Sequence, residues 1–423
     1  MTQPCDLGIQ AIAELIQLGE LTPSELLQSC LDRIDIREPE VGAWEVLDIE
    51  DARLQAKALD DRAPVGPLHG VPVGVKDIID VAGLPTRCGS PVRGATPATT
   101  DAWIVRRLRE AGAVILGKTV TTEFAYFTPG KTRNPHDVER TPGGSSSGSA
   151  AAVADRMVPL ALGTQTAAST TRPAAYCGVA GLVMAPGRLD DAGITGLSPT
   201  LDSIGFLGRS IGDLQLAVKA VSGLGRAAIA GRTPALRVCS AEQFGDIEPA
   251  MREAMASSVA ALHDRGARVE RLGSDTVPAS LVQAHLDIMA VEATRSLTAE
   301  SGHVSAELQA LLDQGLATPA QDYRQAIEHA RRQRDTVIGQ LQGFDAILAP
   351  AALGPAPRGM ATGSPVLSRP WQVMGLSSVV IPGLRDADGM PLGLQLIGRP
   401  DDVAVLLAAA EWVEQALTRT FTD

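Results

Sequence analysis

Short apolar segments that alternate with amphipathic helical segments are the feature that most constrains how this chain can fold. Residues 71–75 form an apolar run, residues 101–111 carry apolar side chains at helical spacing, and residues 113–116 are apolar again. A buried strand, a helix and a second strand in this order are typical of α/β proteins. The alternation returns in the second half of the chain, so we predict one continuous α/β body.

The other elements are predicted from the same patterns. The run Thr22-Pro23-Ser24-Glu25 has the pattern of a capping box with proline in the first helical position, which predicts a helix start. Further helices are predicted over residues 51–59, 150–155, 249–263, 279–313, 318–342 and 403–417. Further strands are predicted over residues 158–162, 236–239, 269–272, 346–348, 379–381 and 393–397.

Composition and charge exclude several classes of protein. Apolar residues make up 45% of the 423 residues, which is enough for a large core. The formal net charge of −12 disfavours nucleic-acid binding, which needs a positive face. The N-terminal segment lacks the basic region of a secretory signal, and no apolar run reaches the roughly 18 residues of a membrane-spanning helix. The five cysteines are scattered without a Cys-x-x-Cys pair, which indicates a reducing compartment, and we expect a cytoplasmic protein.

A glycine- and serine-rich segment, PGGSSSGSA at residues 142–150, has three interpretations. Residues 144–148 fit the Gly-x-Ser-x-Gly pattern of a nucleophile elbow, but no strong strand precedes them. The segment lacks the Gly-Lys-Ser/Thr ending of a phosphate-binding loop. On these residues alone, a glycine-rich crossing where backbones pack closely is favoured.

Lys76 and Ser169 are candidates for chemistry when residues are considered singly. Lys76 follows the apolar run 71–75. Desolvation there would lower the pKa of its amine and make it a base; the alternative is a solvated charge at a strand end. Ser169 follows Ala167 and Ala168, whose small side chains would let backbone N–H groups converge on an oxyanion; the alternative is a buried serine in a tight turn. The six histidines lie beside no nucleophile motif, which weakens a Ser-His-Asp hydrolase.

Together and in this order, these segments resemble the amidase signature family. The resemblance is dense from about residue 66 to 210, through PLHGVPVGVKDIIDVAGLPTRCGS, DAWIVRRLREAGAVILGKTVTTEFA and RNPHDVERTPGGSSSGSAAAVADRMVPLALGTQTAASTTRPAAYCGVAG. Weaker matches are LSPTLD at residues 197–202 and GMPLGLQLIG at residues 389–398. A chain with this resemblance is expected to form an α/β/α fold with a central mixed β-sheet covered by helices.

The resemblance also implies a domain organisation. Residues 1–423 would form a single amidase signature domain. Within it, residues 1–65 would be an N-terminal helical segment and residues 66–210 the signature core with the catalytic residues. Residues 211–423 would form the half that shapes the substrate pocket.

The family's Ser–cisSer–Lys triad maps onto Lys76, Ser145 and Ser169, since each stands in its family motif. By this resemblance Ser169 is the nucleophile, Ser145 relays its proton, and Lys76 is the base. The cis peptide of the family would fall at Gly144–Ser145, and Ser146 would support the network by hydrogen bonding. The oxyanion would be bound by the backbone N–H groups of Thr166, Ala167, Ala168 and Ser169. The resemblance implies no metal and no cofactor.

Departures from the family pattern concern the nucleophile loop and the pocket. Ala167-Ala168 stands where the family often has Gly-Gly, and a loop that needs positive φ there would lose activity. Arg172, three residues after Ser169, is a candidate to bind a substrate carboxylate, with an internal salt bridge that braces the loop as the alternative. Aromatic and sulfur-bearing side chains that are candidates to line the pocket are Phe124, Tyr126, Phe127 and Met184.

The resemblance therefore predicts an amidase that acts on a small-molecule amide through an acyl-enzyme, with an esterase as a variant of the same machinery. It suggests a homodimer, with no nucleic-acid or membrane partner. One alternative is the amidase subunit of a tRNA-dependent amidotransferase, which works with partner chains. A second alternative is a non-catalytic amidase-like scaffold, for which the two alanines are the only support in the sequence.

Overall fold

A computed structural model describes residues 3–223 and 231–422 of the chain. All eleven strands found in these residues belong to one sheet. They are β1 (Trp44–Leu47), β2 (Pro72–Lys76), β3 (Val114–Thr119), β4 (Leu160–Gln165), β5 (Ala180–Val183), β6 (Ser203–Gly208), β7 (Ala235–Val238), β8 (Arg268–Arg271), β9 (Ala346–Pro350), β10 (Ser377–Arg385) and β11 (Pro391–Gly398). Their order across the sheet is β1-β3-β2-β4-β6-β5-β10-β11-β9-β7-β8.

The sheet is mixed, as the resemblance implies. Strand β2 is parallel to β3 and β4, and β7 is parallel to β8 and β9, whereas the strands between these groups pair antiparallel. The predicted α/β fold with a central mixed sheet is therefore confirmed.

Helices connect the strands and cover the sheet. They are α1 (Ile9–Leu18), α2 (Pro23–Val41), α3 (Ile49–Asp60), α4 (Trp103–Glu110), α5 (Ser147–Ala154), α6 (Thr171–Cys177), α7 (Ile211–Ser222), α8 (Pro249–Asp264), α9 (Ser280–Ser296), α10 (Ala306–Ala317), α11 (Ala320–Gln340), α12 (Arg369–Val373) and α13 (Val403–Thr422). Short 3₁₀ helices occur at Pro4–Asp6, Glu123–Ala125 and Ser274–Thr276. Among the described residues, none of these helices combines the length and the apolar character needed to cross a membrane.

Alternate residues along the strands enter two different apolar clusters. Leu160, Leu162 and Phe206 pack into one cluster, while Ala161 and Leu207 pack into the other. Side chains of successive strand residues point to opposite faces, so both faces of the sheet are buried. Residues of α7 and α13 belong to the first cluster, and residues of α5 and α6 belong to the second.

The start of α2 confirms the predicted capping box. The Glu25 backbone N–H donates to Thr22 Oγ1 at 3.2 Å, and the Thr22 backbone N–H donates to the Glu25 carboxylate at 2.8 Å. Pro23 occupies the first turn, where its missing N–H leaves no intrahelical bond unmade.

The prediction of one helix over residues 279–313 is wrong. Helix α9 ends at Ser296 and α10 starts at Ala306. Between them Gly302 adopts a left-handed φ of 82°, which a continuing helix does not allow. Ser305 then caps α10, because its side chain accepts a hydrogen bond from the Leu308 N–H. These two local signals outweigh the apolar periodicity of the segment.

Candidate active site

The sheet brings the candidate residues together at one edge. Strands β2 and β4 are adjacent and parallel, so their carboxyl ends lie on the same side of the sheet. Lys76 is the last residue of β2, and Ser169 lies in the loop that follows β4. Ser145 lies just before α5, whose N-cap residue is Ser146. Three separate chain segments therefore supply Lys76, Ser145 and Ser169 to one region.

The Lys76 side chain is completely buried. Its Nζ donates hydrogen bonds to Ser145 Oγ and to Thr164 Oγ1, both at 2.7 Å. Burial lowers the pKa of Lys76 from its ordinary value of 10.5 to about 7, because the ammonium loses its hydration. Near neutral pH the amine is therefore neutral in a large fraction of molecules and can accept a proton.

Ser146 joins the segment of Ser145 to that of Ser169. The peptide bond between Gly144 and Ser145 is cis, at the position that the resemblance implies. The Ser146 backbone N–H donates to the carbonyl oxygen of Ser169 at 3.0 Å. The Ser146 hydroxyl lies 3.3 Å from both the backbone N–H and the carbonyl oxygen of Thr164. These contacts hold the two serine segments against the end of β4.

Ser145 and Ser169 line one pocket with an empty volume of about 360 Å³. Within the described part of the chain, the Ser169 hydroxyl makes no hydrogen bond, and none joins it to Ser145 Oγ. Both serines are buried, at 2% and 6% relative exposure for Ser145 and Ser169 respectively. The Ser169 Oγ is thus held beside this pocket, without a protein acceptor for its proton in this conformation.

The loop around Ser169 presents backbone N–H groups to that pocket. Ala167, Ala168 and Ser169 line the pocket, and their N–H groups have no acceptor among the described residues. Among the described residues, a positive φ occurs at non-glycine positions such as Phe124 and Arg156, but not at Ala167 or Ala168. The two alanines therefore adopt backbone conformations that any residue can adopt, and the loop does not need glycine there.

Two side chains that sequence analysis missed, one partly buried and one fully buried, hold this loop at Thr166. Asp202 accepts a hydrogen bond from Thr166 Oγ1 at 2.5 Å, and His285 Nε2 lies 2.8 Å from the Thr166 carbonyl oxygen. Burial raises the pKa of Asp202 to about 6, and burial lowers the pKa of His285 to about 3. The His285 ring is thus neutral and donates its Nε2 proton to the carbonyl. Asp202 ends the LSPTLD segment already noted, whereas His285 stands in no motif.

The Lys76 amine also has a partner that sequence analysis missed. Thr164 lies in β4 and is 6% exposed, and its hydroxyl accepts one hydrogen bond from the lysine amine. Its Oγ1 fixes the direction of the amine towards Ser145. Thr164 precedes Ser169 in the segment GTQTAAS, so its closeness to Ser169 in the sequence was the signal that could have identified it.

The Arg172 guanidinium is buried against backbone carbonyls. Its two terminal nitrogens donate to the carbonyl oxygens of Gly363 at 2.7 Å and of Gly144 at 2.6 Å. Burial lowers the pKa of Arg172 to about 10, which leaves it charged at neutral pH. These bonds tie the helix after Ser169 to the residue that precedes Ser145. The brace is therefore made by carbonyl hydrogen bonds and not, among the described residues, by the internal salt bridge considered as the alternative to carboxylate binding.

The pocket wall contains only some of the side chains proposed for it. Tyr126 and Phe127 line the pocket with Ser169, and their rings meet edge to face with centroids 4.9 Å apart. Phe124 lies in the core instead, at 2% exposure, and Met184 lines a neighbouring cavity. Arg369, the first residue of α12, lines the pocket and was not singled out in the sequence.

Residues 3–223 and 231–422 contain no group of three or more histidine, cysteine, aspartate or glutamate side chains placed to hold a metal ion. The five cysteines are all buried and unpaired.

Similar proteins identify the family of this chain. The family model described as Amidase matches residues 25–406. A glutamyl-tRNA(Gln) amidotransferase subunit of Roseiflexus castenholzii is 32% identical over 97% of this chain and 96% of that protein. A Mycobacterium tuberculosis protein described as amidase AmiB2 is 34% identical over 98% of this chain and 97% of that protein. A crystal structure of an amidase, 30% identical, covers 97% of this chain and 99% of its own with a TM-score of 0.89. The chain therefore belongs to the amidase signature family.

Proposed function

We propose that this chain is an amidase that hydrolyses the C–N bond of a small carboxylic amide through a Ser169–Ser145–Lys76 triad. One observation carries the proposal. A fully buried amine with a pKa near 7 donates to Ser145 Oγ at 2.7 Å, and Ser145 lines the same pocket as Ser169 and its free backbone N–H groups. Base, relay, nucleophile and oxyanion donors are thus in one place.

The reaction begins with proton transfer away from Ser169. A serine hydroxyl is a weak nucleophile until a neighbour takes its proton. Ser145 Oγ would accept the Ser169 proton while its own proton passes to the neutral Lys76 amine. The amine keeps its hydrogen bond to Thr164 Oγ1 throughout, so it does not have to turn.

Attack of Ser169 Oγ on the amide carbon would form a tetrahedral intermediate. Its oxyanion would accept hydrogen bonds from loop N–H groups among those of Thr166, Ala167, Ala168 and Ser169, all of which line the pocket. Each such donor is worth about 2.7–4 kcal/mol of transition-state stabilisation. Ser145 would then return a proton to the leaving nitrogen, the C–N bond would break, and water would hydrolyse the acyl-enzyme by the same route in reverse.

Ammonia release from a panel of primary amides tests the proposal. We expect release by the wild-type chain and none above background by Ser169→Ala. Lys76→Ala and Ser145→Ala should each lower kcat/KM by on the order of 10³-fold or more, because the three side chains act as a unit. Ser147→Ala is the matched control. It removes a hydroxyl from the same serine tract, and that hydroxyl bonds to the Val120 carbonyl oxygen rather than to the triad.

The outcome that overturns the triad is activity near the wild-type level in Ser169→Ala or Lys76→Ala. Equal losses in Ser147→Ala and Ser145→Ala would instead show that the tract acts through folding alone.

A second candidate function is that of one chain in an amidotransferase complex, favoured by the 32% identity to the Roseiflexus castenholzii protein over 97% of this chain. On our proposal the purified chain, alone or as a homodimer, hydrolyses amides without partner chains. Activity that appears only in a complex purified from the native cell with other subunits would favour the second candidate.

A further inference from the structure

The pocket that contains Ser169 carries positive charge without a balancing carboxylate. Two of its lining residues, Arg172 and Arg369, bear guanidinium groups, and none of its lining residues is an aspartate or a glutamate. Buried arginines in proteins are normally paired, because an unpaired buried charge is costly. Two guanidiniums in one pocket therefore require an explanation.

The two arginines differ in what their side chains contact. Both terminal nitrogens of Arg172 donate hydrogen bonds to backbone carbonyl oxygens, and these bonds brace the loop. Arg369 is half-buried, and within the described residues its side chain has neither a hydrogen-bond acceptor nor an ion-pair partner. Its Nε is completely buried and unpaired, as is the Nε of Arg172, so the two side chains differ in their terminal nitrogens. Arg369 is thus a cation held at the pocket wall with its hydrogen-bonding capacity unused.

Hydroxyl groups of the same wall are also without partners. Thr122 and Thr362 line the pocket, are 1% and 3% exposed respectively, and leave their Oγ1 atoms unpaired. The phenol of Tyr126 faces the same pocket, and the Arg369 charge acts on it. Unpaired buried polar groups cost free energy unless a ligand satisfies them. The guanidinium can only donate hydrogen bonds, and each hydroxyl can donate one, so a single acceptor-only ligand would satisfy all of these groups.

We propose that Arg369 forms a carboxylate subsite, so that the substrate is a short amide bearing a carboxylate close to the scissile bond. This inference rests on the proposed amidase function. A carboxylate is acceptor-only when ionised, and the planar guanidinium fork matches it in two parallel hydrogen bonds. Arg369 and Ser169 line the same pocket, so a carboxylate bound by Arg369 would lie close to the scissile amide.

A charge series of substrates tests the subsite. The monoamides of propanedioic, butanedioic and pentanedioic acids are compared with neutral amides of the same length in which a methyl ketone replaces the carboxylate. We expect the wild-type kcat/KM for the preferred acid to exceed that of its neutral partner by at least about tenfold, since a hydrogen bond to a charged group is worth that much. In Arg369→Gln the ratio should fall towards one, and Arg369→Lys should restore part of it.

Two further variants separate this role from general effects. Arg62→Gln removes an exposed arginine that does not line the pocket, and it should leave the ratio at the wild-type value. Arg172→Gln should lower kcat/KM for acid and neutral amides alike, because Arg172 supports the loop rather than the carboxylate. An acid-to-neutral ratio that collapses in Arg172→Gln and survives in Arg369→Gln would overturn the assignment of the carboxylate to Arg369.

Binding of butanedioate to the Ser169→Ala variant, measured by titration calorimetry, gives a readout that does not depend on turnover. Binding that is lost in the Ser169→Ala, Arg369→Gln double variant supports the subsite. Equal hydrolysis of acid and neutral amides by the wild type overturns the subsite and leaves the amidase standing. Absence of ammonia from every amide overturns the proposed function, and the calorimetry then still decides the subsite: no dicarboxylate binding refutes it.

Discussion

Replacing Lys76 by methionine should make the protein more stable at pH 7 and should remove the proposed catalytic base. Methionine has nearly the same length but no charge, so it fills the space without needing hydration. The pKa of Lys76 falls from 10.5 to about 7 on burial. Each pKa unit corresponds to about 1.4 kcal/mol, so the folded state loses about 4–5 kcal/mol at pH 7 by burying this amine.

The hydrogen bonds of Lys76 offset part of this gain. The substitution removes two bonds, to Ser145 Oγ and to Thr164 Oγ1, each worth about 1 kcal/mol. The net expectation is that Lys76→Met is more stable than the wild type by about 2–3 kcal/mol at pH 7. Under the proposed mechanism, Lys76 would thus lower stability in exchange for activity.

The sign of the effect should reverse as the pH rises. Between pH 7 and 10.5 the unfolded chain binds a proton at Lys76 that the folded chain has released, so wild-type stability increases with pH in this window. At pH 10 the cost of burying the amine is reduced to about 1 kcal/mol, and the lost hydrogen bonds then leave Lys76→Met the less stable protein.

Urea denaturation of both proteins at pH 7.0, 8.5 and 10.0, followed by circular dichroism, measures this difference. The matched control is Lys118→Met, since Lys118 is also fully buried but lies 2.8 Å from the carboxylate of Asp77. Its removal leaves a buried carboxylate unpaired and should destabilise the protein by about 3–5 kcal/mol. A difference between Lys76→Met and wild type that does not change with pH would refute the reasoning, because Lys76 would then be charged in the folded state.

Two more outcomes follow from the structure. The value of kcat/KM should rise tenfold per pH unit up to about pH 7 and then level off, because Lys76 can act as the proposed base only after it loses its proton. The profile is measured with fixed-time assays, and a kcat/KM that stays constant from pH 5 to 9 would contradict this expectation. Gly148→Ala should lower the free energy of unfolding by about 3 kcal/mol, since its Cβ would lie 2.2 Å from a backbone oxygen, whereas Gly94→Ala, with nothing within 4 Å, should be nearly neutral. Thermal unfolding of the two variants compares them, and similar melting temperatures would count against the packing argument.

The fold was predictable from sequence wherever local and long-range signals agreed. The capping residues Thr22 and Glu25 start α2, and the apolar runs at 71–75 and 113–116 lie in buried strands. The strand order was not predictable from these patterns, because pairing partners such as β6 and β5 are chosen by packing across the whole sheet. The break after α9 does not follow from apolar periodicity, because the periodic pattern continues across Gly302.

The site was predictable only as far as motifs extend. Lys76, Ser145 and Ser169 stand in segments with recognisable spacing, and the structure places all three at one edge of the sheet. His285 and Arg369 lie on α9 and α12, more than a hundred residues further along the chain, where each is an ordinary polar residue in a helix. Their proposed roles come from their position beside the Ser169 loop. The residues next to them in the sequence do not indicate that position.

The proposed reactivity of Lys76 depends on which partners the neighbouring carboxylates bind. Asp77 follows it directly in the chain, yet its carboxylate is paired with Lys118 on the neighbouring strand β3. Asp202 does act on Lys76, but its carboxylate is occupied by Thr166 Oγ1 and by the backbone N–H groups of Leu197 and Ser198. An acid in direct contact with the Lys76 amine would favour the ammonium and raise its pKa, which would remove the base. The structure therefore gives the two buried lysines different partners. Lys118 is paired with a carboxylate and supports the sheet, whereas Lys76 contacts two hydroxyl groups and remains free to take a proton.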